Sequence, residues 1–189
     1  MLKFINPIFI SYYHIIFSNI LNSKKHKVKI IKNIDERFDE LWARSRNSYL
    51  NTNVRDSNYL KWYCNMIPDV TKIIFGYFEN KLLNTFIIFQ ISYEKKIKSL
   101  NCLDIWGLKV NINILKLIMR EVLKFSYKND IDMIYIPSMN TEIDALCKKL
   151  GLIKKKYDDK RFYKSKDNFL KHPELQNNYF TFAQGDLGL

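Results

Sequence analysis

Two titratable side chains in this sequence sit in settings suited to proton chemistry. Asp104 is flanked by Leu103 and Ile105 in an apolar run, and a carboxylate held in such a strand can act as a general base. A single aspartate there is more often a structural hydrogen-bonding group or a surface residue. Cys147 recurs with Ile143, Leu146 and Leu150 at helical spacing, which puts its thiol on the apolar face of a helix, where cysteine is more often core filling. Other chemistry is thinly supplied. Cys64, Cys102 and Cys147 are three cysteines without a C-x-x-C pair, an odd number that fits a reducing, cytoplasmic setting rather than a disulfide scaffold. His14, His26 and His172 lie far apart and near no carboxylate cluster, so no metal site is expected. With 5 glycines in the whole chain, a glycine-built phosphate loop is not expected either.

The apolar periodicity supplies the elements that position these groups. Residues 28–33 alternate apolar with basic side chains and read as a strand, and residues 35–47 carry Phe38, Leu41 and Trp42 at helical spacing. Asp35 and Glu36 stand at the positive end of that helix dipole. A second helix opens at Asp56 or Ser57, places Tyr59, Leu60 and Tyr63 on one face, and is closed by Pro68. Residues 71–79, 82–93 and 97–106 read as three strands joined by short turns, an antiparallel meander. Residues 111–127 form the longest helical pattern, with Ile114, Leu117, Ile118, Val122 and Phe125 inward, and lead to a short strand at 133–137. A crossover of that length allows parallel pairing. Pro137 ends the strand's ladder, Ser138 and Asn140 supply turn and cap chemistry, and Gly151 stops the next helix by accepting left-handed backbone. Two further strands are expected at 154–166 and 179–183. The fold class is α/β, a mixed central sheet with an antiparallel meander and flanking helices.

At 189 residues, with 47% apolar and 15% aromatic content, the chain suits one packed domain. The net charge of +12 would favour anionic partners. Lysine, asparagine and isoleucine are spread throughout, however, and no Arg-rich or Gly-rich segment interleaves with Trp62 or Trp106, so nucleic-acid binding is not expected. The apolar residues 4–21 are interrupted by Asn6, Pro7, Ser11, His14 and Asn19. That argues against a transmembrane segment or signal peptide and for an amphipathic helix. The chain divides into this N-terminal helix and linker, residues 1–27, and a domain over residues 28–189.

Asn140, Ile143, Leu146, Cys147, Lys149, Gly151 and Leu152 fall at the spacing of N-x-x-A-x-x-L-Y-x-x-x-G-F, and with the order of elements this resembles the GNAT superfamily of acetyltransferases. The segments FDELWARSR, VRDSNYLKWY and FTFAQGDLG resemble more narrowly the C-terminal half of tandem-GNAT, FemAB-like N-acyltransferases. The resemblance implies a GNAT-like fold, acetyl-CoA or another acyl-CoA as cofactor, and a small-molecule amine or amino sugar as acceptor. It places the acyl donor where two neighbouring parallel strands splay, with the pyrophosphate at the start of the long helix. The residues it would put against the cofactor are Trp106, Gly107, Leu108, Lys109, Asn111, Asn113 and Asn140. It makes Asp104 the base for the attacking amine, and puts Cys147, as an acid or an acyl-accepting thiol, where the family has the tyrosine that protonates the departing thiolate.

The family's phosphate turn is Q/R-x-x-G-x-G/A, whereas Leu108-Lys109-Val110-Asn111-Ile112-Asn113 has no glycine, so an ordinary helix start capped by Asn111 is the favoured reading. By the same resemblance residues 1–27 stand in place of the helix that joins two GNAT halves. That points to a homo-oligomer or a partner domain bound through this helix, and to a catalytically inactive association module as the alternative function. Arg55 and Asp56 are expected to form a local ion pair and helix cap, Trp62 and Trp106 to pack in the core or its rim, and Asp186 to hold the C-terminal turn.

Overall fold

A computed structural model describes residues 26–48, 52–66, 69–108, 110–137 and 141–153. The N-terminal helix, the strands expected at 154–166 and 179–183, Lys109, Asn140 and Asp186 lie outside the described residues. The chain enters as β1 (His26–Ile31), followed by α1 (Glu36–Ser45), a short 3-10 turn (Arg46–Ser48) and α2 (Ser57–Asn65). The meander is β2 (Lys72–Glu79), β3 (Leu82–Glu94) and β4 (Ile97–Gly107). It is followed by α3 (Ile112–Lys128), β5 (Met133–Tyr135) and α4 (Thr141–Lys149). The five strands form one sheet in chain order, antiparallel from β1 to β4, with β5 parallel to β4. The mixed sheet with flanking helices is thus the α/β class that the sequence pattern predicts.

Local chemistry accounts for the boundaries. Asp35 caps α1 by accepting from the Arg37 amide, Asp56 caps α2 through the Tyr59 amide, and Asn111 caps α3 through the amides of Asn113 and Ile114. Both hairpins turn on two residues of positive φ, Asn80 and Lys81 in one, Lys95 and Lys96 in the other, the backbone that matches the twist of the paired strands. α4 ends in Gly151 at φ 78°, with Leu152 N–H donating to the Cys147 carbonyl and Gly151 N–H to that of Lys148, a Schellman closure. α3 ends the same way on Asp130 at φ 52°, with the Ile131 amide on the Ser126 carbonyl.

The two faces of the sheet carry different helices. Phe38 of α1 meets Phe86 of β3 edge-on at 5.3 Å, and Phe125 of α3 meets Phe75 of β2 at 5.8 Å. Phe75 pairs with Ile87, the neighbour of Phe86, and adjacent strand residues point to opposite faces. α1 and α2 therefore cover one face and α3 the other. The buried stripe of α3 is Leu115, Ile118, Met119, Val122 and Ser126, turned by about one position from the expected one. Ile114, Leu117 and Phe125 flank it, half-buried against the core, because the helix is apolar around too much of its girth for periodicity to fix its rotation.

Gly151→Ala places a Cβ in left-handed backbone and is expected to destabilise the protein by about 1–2 kcal/mol, read as a lower urea midpoint at unchanged m-value.

Candidate functional site

The site is organised by an extra residue in β4. Ile88 pairs with Asp104 and Phe89 with Cys102, so Leu103 is a bulge, which bends and twists its strand. The ladder to β5 stops just before it: Ser99, Leu100 and Asn101 pair with Met133, Ile134 and Tyr135, and no further ladder pair joins the two strands while β4 runs on to Gly107. Pro137 has no N–H to extend the ladder, which is why β5 is shorter than the run 133–137. The pairing of the neighbouring parallel strands therefore ends just before the bulge, and the region beyond their last pair, Asn101 with Tyr135, is called the cleft.

Because of the bulge, Asn101 and Asp104, three positions apart, face the same side, toward α1 and α2. Asp104 is fully buried there. Its Oδ2 accepts from Arg55 Nε at 2.7 Å and its Oδ1 from Arg55 Nη2 at 3.3 Å, both side chains being 1% exposed. Arg55 thus turns away from Asp56 and reaches across the fold, which corrects the local ion pair expected from adjacency; Asp56 keeps only the capping role. The guanidinium lies 4.2 Å above the Trp106 ring and also donates to Thr52 Oγ1 and the Asn53 carbonyl. Trp106 is 1% exposed, its Nε1 donating to Ser45 Oγ at 2.7 Å and its ring tilted against Trp42. A ligand along β4 would meet the backbone of Trp106, not its ring.

Beyond Trp106, Gly107 lies so close to β3 that a Cβ there would strike the Thr85 side chain and come within 2.7 Å of the Asn84 carbonyl. Leu108 donates its N–H to that carbonyl at 3.0 Å. At the start of α3 the Asn111 side chain accepts from Asn113 and Ile114, and the Asn111 carbonyl from Leu115. Four amides at this end of the strand and helix are thus held by the chain's own oxygens, and the expected Asn111 cap is what the structure contains. An anion seeking the amides of Asn113 and Ile114 would have to displace the Asn111 side chain.

Cys147 lies on the other side of β4, half-buried against the core with Ile143 and Leu146. The Cys102 thiol donates to the Asp104 carbonyl at 3.7 Å, and burial first, then the neighbouring Asp104 and Cys147, push it well above its ordinary range. Burial, with a smaller contribution from Asp144, pushes the Cys147 thiol up to about 11. Burial likewise puts Cys64 at about 11, Lys72 pulling it down and Asp104 pushing it up. Asp104 and Cys147 therefore stand on opposite faces of the sheet, and the structure does not bring the two side chains together. Among the described residues no group of histidine, cysteine and carboxylate side chains could hold a metal ion, and no helix is long and apolar enough to cross a membrane.

A feature the sequence reading missed is a row of polar side chains running across the sheet. Lys72 pairs with Gln90, Gln90 with Asn101 and Asn101 with Tyr135, so the four share the α2 face at the level where β4 and β5 part. The row on the opposite face, Ile91, Leu100 and Ile134, is apolar. Tyr63 of α2 lies over the polar row: Lys72 Nζ donates to the Tyr63 carbonyl at 2.6 Å and sits 4.4 Å from its ring. The hydroxyl of Tyr63 and Oε1 of Gln90 are buried without a hydrogen-bond partner, each at a penalty of about 1–3 kcal/mol. Burial, aided by the Asp104 charge, holds the Tyr63 phenol far above its usual range. The signal in the sequence was a polar residue in each of four successive strand segments, visible only once the registers are known.

No family model matches the sequence, and no curated protein does. The fold does have solved counterparts. The crystal structure of a ribosomal-protein-alanine N-acetyltransferase from Brucella melitensis biovar Abortus 2308 superposes with a TM-score of 0.57 at 12% identity, covering 74% of this chain and 99% of that one. An aminoglycoside acetyltransferase from an uncultured soil metagenomic sample, in complex with trehalose, gives 0.55 at 11% identity over 77% and 99% of the two chains. The same acetyltransferase in complex with sisomicin gives 0.53 at 11% over 75% and 97%. At these identities the likeness establishes the architecture: the chain has the fold of the GNAT acetyltransferases.

Arg55→Met leaves Asp104 charged and alone in the interior and should destabilise by about 3–5 kcal/mol. Adding Asp104→Leu should recover much of that loss, a coupling that urea melts of the two single variants and the double variant measure. Iodoacetamide should alkylate folded Cys64 and Cys147 slowly at neutral pH, the rate climbing until about pH 11 as the thiolates appear, whereas the urea-unfolded chain reacts fully near pH 9.

Proposed function

We propose that the protein is a GNAT-type N-acyltransferase that takes an acyl group from acyl-CoA to a small amine or amino sugar. The observation that carries the reading is the end of the β4–β5 pairing just before the Leu103 bulge, which leaves a cleft in the fold those acetyltransferases share. Acyl-CoA, when bound, supplies the activated acyl group. The base role proposed for Asp104 requires its carboxylate to exchange part of its contact with Arg55 for the ammonium of the acceptor. The acid role proposed for Cys147 requires a protonated thiol at neutral pH, and burial supplies one. Derivation from the second half of a FemAB-like tandem enzyme, and a cytoplasmic location, belong to the same proposal.

The self-capped start of α3 favours a second reading, a module without catalysis that associates with a copy of itself or a partner domain through residues 1–27. Acetyl-CoA titration separates the two. A ligand that binds only the folded state, at tenfold excess over its Kd, stabilises by about 1.4 kcal/mol, a rise in Tm of roughly 3–6 °C for a chain of this size. We expect such a rise at millimolar acetyl-CoA, and a lower Kd in Asn111→Gly, which removes the side chain that competes for the helix amides. No shift at millimolar concentration, together with a mass that rises with protein concentration, overturns the acyltransferase reading in favour of the association module.

A further inference from the structure

Two buried polar atoms without partners sit in one neighbourhood. Tyr63 is 1% exposed and its hydroxyl is unpaired, and Gln90 Oε1 is unpaired on the strand face that Tyr63 covers. Such groups are rare in native interiors and call for an explanation, a bound ligand among them. Both adjoin the polar row. Asn101 is half-buried and donates to Ser92 Oγ at 2.8 Å, and Tyr135 at the open end of the row is 41% exposed. The row thus runs from an enclosed end under α2 to an accessible end at the cleft.

We propose that this row is the acceptor subsite, and that it takes a hydroxyl-rich compound bearing one amine, an amino sugar rather than a polycationic amine. The inference rests on the acyltransferase reading for the word acceptor, but the binding it predicts does not. A ligand hydroxyl can donate to Gln90 Oε1 and accept from the Tyr63 hydroxyl, so one polyhydroxylated ring satisfies both atoms, whereas an alkylammonium can accept nothing from the Tyr63 O–H and reaches either oxygen only by burying its charge beside Lys72. The charge of the row argues the same way. None of Lys72, Gln90, Asn101 and Tyr135 is acidic, and the next carboxylate toward the cleft, Asp104, already has both oxygens on Arg55. Glu94 stands on the same face but at the tip of the β3–β4 hairpin. A second cation on the ligand would meet the Lys72 ammonium with no free carboxylate in the row to offset it.

Calorimetric titration of the full chain with glucosamine, cyclohexylamine and spermidine, without cofactor, tests this. We expect saturable glucosamine binding, with cyclohexylamine and spermidine each at least tenfold weaker. Tyr63→Phe and Gln90→Leu remove the unpaired atoms, and each should weaken glucosamine about fivefold to tenfold while Tm stays level or rises; a purely structural role would move Tm down and leave affinity alone. Spermidine binding as tight as glucosamine, or unchanged glucosamine affinity in both variants, overturns the proposal. Acetyl-CoA binding with no glucosamine binding also overturns it and leaves the acyltransferase reading standing. Glucosamine binding without acetyl-CoA binding supports the subsite and removes the transfer reaction.

Discussion

The insertion of Leu103 into β4 is the constraint on which the rest of the site depends. Side chains alternate along a strand, so one extra residue moves every later side chain to the other face. Were Leu103 to take a regular place in the ladder instead of bulging out of it, Asp104 and Trp106 would point into the apolar layer under α3. With the bulge, they point toward α1 and α2, where Arg55, Ser45 and Trp42 can meet them. The same bulge follows the last β4–β5 pair, Asn101 with Tyr135, by two residues. One backbone irregularity thus decides which side chains border the cleft.

Placing a carboxylate in the interior then dictates its partner. An isolated ionised group there would be strongly destabilising, so Asp104 needs a fixed cation. Arg55 fits because its planar fork reaches both oxygens while its flat face rests on the Trp106 indole. The backbone before α2 is tied to β4 through this contact, and Trp106 is tied to α1 through Ser45, whose hydroxyl donates to the Leu41 carbonyl. The α1–α2 side of the cleft is therefore held by directional polar contacts, whereas the α3 side is held by ring packing such as Phe75 on Phe89 and Phe125. That asymmetry explains how a polar row persists on one face of a sheet whose other face is apolar at the same level.

Much of the fold was legible because it is written locally. The caps Asp56 and Asn111, the two hairpin turns and the left-handed Gly151 each depend on a few consecutive residues, and each stands where the sequence places it. The site was less legible because its geometry is set by register. Asp104 could be singled out as a strand carboxylate, but its partner lies 49 residues away, and the adjacent Asp56 offered a plausible and incorrect ion pair. Lys72, Gln90, Asn101 and Tyr135 are unremarkable one by one. They become a row only through three pairings, one of them parallel and across the α3 crossover. The rotation of α3 escaped for a related reason, since apolar residues nearly all round a helix leave its buried face to be chosen by packing.

Asn111 shows how a fold and a cofactor grip can come apart. The start of α3 needs its exposed amides satisfied, and an asparagine side chain meets that need from within the chain. A glycine-containing turn would leave the same amides open to an anion and would cost the isolated helix only a few tenths of a kcal/mol relative to the asparagine cap. Here helix stability and phosphate binding compete for the same N–H groups, and the chain's own oxygens hold them. The bulge, the cleft and the ion pair are untouched by that choice, because they are secured by β4 and α2 and not by α3. On the proposed reading, an acyl donor would then depend on the region beyond the last β4–β5 pair for most of its affinity and the acceptor on the polar row across β2 to β5, two regions that meet at Asn101.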